Sequence, residues 1–100
     1  MIKKDLPRRM DRASAEQLAI ECLGFLAGDG ERLSAFLAQT GLDPSSLRSA
    51  ASSPGFLPGV LDHVAGDENL LLAFAADSGR DPASIGRARD LLGGPPVWSP

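Results

Sequence analysis

At 100 residues the chain has room for one domain with a single modest core. Its 43% hydrophobic and 23% charged residues describe a soluble globular protein, and no apolar run approaches the ~20 residues of a membrane helix. One cysteine, Cys22, excludes an internal disulfide framework and fits a cytoplasmic location, while a net charge of −3 disfavours nucleic acid as a partner.

The charge is unevenly placed along the chain. The first twelve residues carry five basic and two acidic side chains, and the other 88 carry five arginines and eleven acids. Residues 1–13 therefore read as a basic arm, solvated and dispensable for folding, without the apolar stretch of a secretory signal. Ser14 and Gln17 have capping-box spacing, which predicts a helix from there to about Ala27. Gly28 ends it by taking a left-handed conformation. Asp29 caps a second helix that stops at Gly41, and Asp43-Pro44 opens a third. The same punctuation then returns as Ser53-Pro54, Gly66-Asp67, Gly79 and Asp81-Pro82, closing at Gly93-Gly94. Pro58 falls early in the fourth helix, where a missing N–H costs least.

This recurrence is a repeat. At an offset of 38, "GDGERLSAFLAQTGLDP" from Gly28 falls on "GDENLLLAFAADSGRDP" from Gly66, and residues 18–50 pair with 56–88 without a gap. A repeat of that length implies a supersecondary unit packing on its copy. The predicted fold is all-α: a compact bundle of about six short helices built from two three-helix units, about 14–52 and 53–93. A Pro-rich tail, residues 94–100, follows. At 100° per residue Leu18, Cys22, Phe25 and Leu26 share the first helix's inner side, and Phe56, Val60, Leu61 and Val64 do so in the fourth. Those two helices are expected to meet near a pseudo-twofold axis, with Phe36, Phe74, Leu47 and Ile85 closing the core.

The phrases "LGFLAGDGERLSAFLAQTGLDPSSLR", "PGFLPGVLDHVAGDENLLLAFA" and "RARDLLGG" resemble a family of small alphaproteobacterial proteins of unknown function, over roughly residues 14–93. The resemblance implies a compact helical bacterial protein. It transfers no activity, cofactor or site residue.

The residues themselves offer little chemistry. A nucleophilic mechanism needs a Ser or Cys beside a base, and the one histidine, His63, aligns with Phe25 of the other copy, which makes it a helix-face residue. Cys22 aligns with Val60 and reads as a small buried hydrophobe. Asp29, Asp43, Asp67 and Asp81 stand where helices need caps. No enzyme activity, metal site or cofactor is expected.

Two functions remain to be compared. In the first, the protein is a non-catalytic interaction module that binds an unidentified protein or a second copy of itself. Arg32 and Ser34 of one unit become Leu70 and Leu72 in the other. A helix apolar nearly all round needs a cover, so Leu70, Leu72 and Trp98 of the tail are the candidate partner-binding residues. The alternative is DNA binding through a helix-turn-helix-like corner around Gly79–Arg89, with Arg80, Arg87 and Arg89 as contacts. Asp77, Asp81 and Asp90 counter those arginines locally. Neither reading places the chain in a membrane.

Overall fold

The computed structural model describes residues 10–93, and within them the fold is an all-α globule of six helices. The elements are α1 (Arg12–Ala27), α2 (Gly30–Thr40), α3 (Leu47–Ala50), α4 (Phe56–Ala65), α5 (Glu68–Ser78) and α6 (Ala83–Gly93). A 3-10 turn, Pro44–Ser46, leads into α3.

Aspartates begin most of these elements, because a short carboxylate can accept the N–H groups that a first turn leaves without partners. The Asp29 carboxylate accepts from the Glu31 and Arg32 N–H groups, and Asp67 accepts from Leu70 N–H. Asp43 accepts from Ser46 N–H and Asp81 from Ala83 N–H. At the opposite ends, α2 and α5 stop at Gly41 (φ 78°) and Gly79 (φ 75°), left-handed positions that cost a side-chain-bearing residue about 1–2 kcal/mol.

Three expected boundaries are corrected. Asp11, not Ser14, caps α1: its carboxylate accepts from Ser14 N–H, so the helix starts at Arg12 inside the expected arm. Ser53 does not cap α4, which starts at Phe56 after Gly55 with no side-chain cap. Gly28 and Gly66 remain right-handed, at φ −76° and −81°. There the chain turns at the extended aspartate that follows, which caps the next helix.

α1, α4 and α6 pack pairwise against one another and form the centre, with α2 laid on α1 and α5 on α4. Leu18, Cys22 and Leu26 of α1 meet Phe56, Val60, Leu61 and Val64 of α4, while Ile85 and Ala88 come from α6. Phe36 and Phe74 are both buried and plug the core from α2 and α5. Leu47, expected beside them, is half-buried, because α3 has only four residues where α6 has eleven. Past Ala50 the chain turns through residues 51–55 into α4, so the α3 segment does not span the core as α6 does. Edge-on ring pairs knit the layers together: Phe25 with Phe74 at 5.5 Å, and His63 with Phe36 at 5.2 Å.

Candidate interaction surfaces

Phe74 and Ala75 set the inward side of α5, since both are buried. Leu70 and Leu71 flank them, half-buried against the core. Leu72 lies about 200° round the helix from Leu70 and is 49% exposed. The two candidate leucines thus separate: Leu70 is core-facing and Leu72 is open. Ile20 and Leu91 are the other large hydrophobic side chains exposed among the described residues. Trp98 lies outside those residues.

The three candidate DNA-contacting arginines are also placed differently from one another. Arg80 follows the Gly79 cap, and its guanidinium donates both to Glu21 Oε1 at 2.7 Å and to Oε2 at 2.8 Å on α1. This fork-to-fork pair is the strongest geometry available to a charge pair. The hydrogen bond from Arg80 holds the Glu21 carboxyl below its ordinary range, against the opposing effect of burial. Arg80 therefore ties the α5–α6 corner to α1 rather than facing outward. Arg89 reaches Asp62 of α4 at 3.5 Å, and Arg87 is exposed.

The residues with potential chemistry are dispersed. Cys22 is fully buried, and desolvation pushes its thiol up to about 12. His63 stands half-buried on α4, its ring edge against Phe36. Hydrogen bonds from Ser45 and Ser46 hold the Asp43 carboxyl below its ordinary range. Among the described residues, no three His, Cys, Asp or Glu side chains are grouped to hold a metal ion.

One surface feature was not singled out from the sequence. Between the end of α2 and the start of α4 lies an open apolar cleft of about 270 Å³, lined by Phe36, Leu42, Ala50, Phe56 and Gly59, with Thr40 at its side. It shares Thr40 and Gly59 with a broader polar groove of about 620 Å³. That groove follows α4 past Asp62 and His63 to Asp67 and Glu68, with Gln39 on the opposite wall. Leu42 and Gly59 at this place stand 38 residues from Arg80 and Glu21 respectively.

Residues 12–95 match the family described as "Protein of unknown function (DUF3572)". The chain belongs to that family. Comparison with curated proteins and with solved structures finds no match. Membership of DUF3572 spans the whole described fold and assigns no activity, so function has to be argued from the surfaces. No helix among the described residues is long and apolar enough to cross a membrane.

Proposed function

We propose that this DUF3572 chain is a non-catalytic cytoplasmic module that works by contacting another protein, a second copy of itself included, through the outer face of α5. The observation that carries the reading is Leu72, a leucine 49% exposed at a position where the corresponding residue of the other half is Ser34. A large apolar side chain gains nothing from standing in water, and the fold accommodates a polar residue at the matching site. Ala73 and Ala76 beside it are small enough to let a partner approach closely.

The reading includes the descent of the two halves from one three-helix unit. Supporting it, α2 and α5 have identical lengths and bounds 38 residues apart, each with an aspartate cap and a left-handed glycine end. Thr40 and Ser78 donate to the Phe36 and Phe74 carbonyls in turn, both at 2.8 Å. The ring pairs are also reciprocal: Phe25 meets Phe74, and its counterpart His63 meets Phe36. Reciprocal contacts of this kind are what a twofold relation produces.

DNA binding through Arg80, Arg87 and Arg89 has less support, because Glu21 occupies the Arg80 fork and Asp62 pairs with Arg89 at the surface. The test is Leu72→Ser, compared with wild type by circular dichroism, sedimentation velocity and affinity capture. Helical content should be unchanged while self-association or the captured partner is lost. Retention of both by a folded variant would refute the reading.

A further inference from the structure

The two halves differ sharply at one matched place. At one corner, Arg80 of the second half and Glu21 of the first meet in a two-pronged ion pair across the space between the end of α5 and α1. Their counterparts at the 38-residue offset are Leu42 and Gly59, which lie across an unfilled cleft of about 270 Å³ between the end of α2 and α4. Leucine and glycine stand beside an opening where arginine and glutamate form a bridge at the matched place. A Cβ built on Gly59 meets no atom within 4 Å, so packing does not require glycine there. Glycine inside a helix costs roughly 0.5–1 kcal/mol relative to alanine. Glycine at 59 thus leaves the cleft open at a small cost to the helix.

From this geometry we infer that the cleft is a docking site for an extended peptide segment of a partner protein, one that carries an aliphatic side chain next to lysine or arginine. The inference rests on the two-copy reading above. The apolar part of the site is set by Phe36, Leu42, Ala50 and Phe56, whose walls suit one aliphatic side chain. The cation is argued from charge complementarity. The adjoining groove carries the carboxylates of Asp62, Asp67 and Glu68 and, among the described residues, has no lysine or arginine in its lining. Arg89 pairs with Asp62 from the next groove, and Asp67 also caps α5. Three carboxylates in one lining suit a cationic segment better than an anionic one.

The experiment is an amide-shift titration of the full chain with the probe acetyl-Gly-Leu-Arg-Lys-Gly-amide. Saturable shifts should centre on Phe36, Thr40, Leu42 and Gly59. The acidic counterpart, acetyl-Gly-Leu-Glu-Glu-Gly-amide, should bind at least tenfold more weakly, and added salt should weaken the basic probe severalfold. The double variant Leu42→Arg, Gly59→Glu restores the plug of the other half without changing net charge. It should stay folded and bind the basic probe at least tenfold more weakly. Should it fail to fold, Gly59→Leu narrows the same opening and should give the same loss. Equal binding of the two probes, absence of saturable shifts at the cleft, or undiminished binding by a folded plugged variant would each overturn the inference. The two-copy premise is tested separately by a thermal double-mutant cycle, in which the two substitutions should stabilise one another. No coupling there would sink the premise, whereas the wild-type titration judges the cleft itself.

Discussion

Truncating Phe36 or Phe74 to alanine tests how the core is shared between the halves. Each ring is 99% removed from water, with 1% of its surface exposed. A buried aromatic side chain removes about 150–250 Å² from water. At roughly 25 cal/mol per Å² that is about 4–6 kcal/mol, of which alanine keeps a part. Edge-on partners add about 0.5–1.5 kcal/mol per pair, with Phe56 and His63 around Phe36 and Phe25 against Phe74. Phe36 also lines the open cleft, so water can reach part of the space its ring vacates. That offsets its additional ring partner, and both variants should lose about 3–5 kcal/mol. Such a loss is comparable with the whole stability of a small domain, about 5–15 kcal/mol. Urea denaturation followed by far-ultraviolet circular dichroism reads the difference. A loss below about 1 kcal/mol in either variant would refute the core described above, and a large inequality between them would refute their equivalence.

Three further outcomes are expected. Glu21→Gln should cost about 0.5–1 kcal/mol at neutral pH, since the pair is a third exposed and screened by solvent. Because the folded Glu21 carboxyl is depressed from its ordinary 4.5, the wild-type advantage is complete above that value and disappears as pH falls below it, which melting curves from pH 7 to pH 3 would follow. Gly79→Ala and Gly41→Ala should each lose about 1–2 kcal/mol for their left-handed backbone, whereas Gly59→Ala should be neutral or up to about 1 kcal/mol stabilising. Cys22 should resist a disulfide reagent at pH 8 in the native protein and react promptly in urea, and fast native labelling would contradict its burial.

Much of the architecture was legible because its cues are local. Asp29, Asp43, Asp67 and Asp81 announce helix starts through their own side chains, and Gly41 and Gly79 announce ends through φ. The errors came where two local signals competed. Asp11 lies three residues ahead of Ser14 and offers a charged acceptor, so the cap lies upstream and α1 begins at Arg12. Serine at Ser53 lost its capping role because Pro54 and Gly55 carry the chain past it before α4 begins.

The surfaces were less legible, since exposure depends on neighbours distant in sequence. The 200° separation of Leu70 and Leu72 required only that they diverge, and the packing of α5 on α4 decided which of the two was left open. Arg80 looked like a groove contact until Glu21, 59 residues earlier, closed on it. Leu42 and Gly59 say nothing singly, and acquire meaning only when paired in space with the counterparts of an ion pair.

The central claim is that the outer face of α5 contacts a protein while the matching face of α2 does not. It is tested most directly by photo-crosslinking inside the cell, with benzoylphenylalanine placed at Leu72 in one strain and at Ser34 in another. Both positions are exposed on matched helices, so reactivity with solvent is controlled. The account predicts a discrete adduct from position 72, reduced by competition with untagged wild-type chain, and none from position 34. Equal adducts from both positions, or none from position 72, would contradict it.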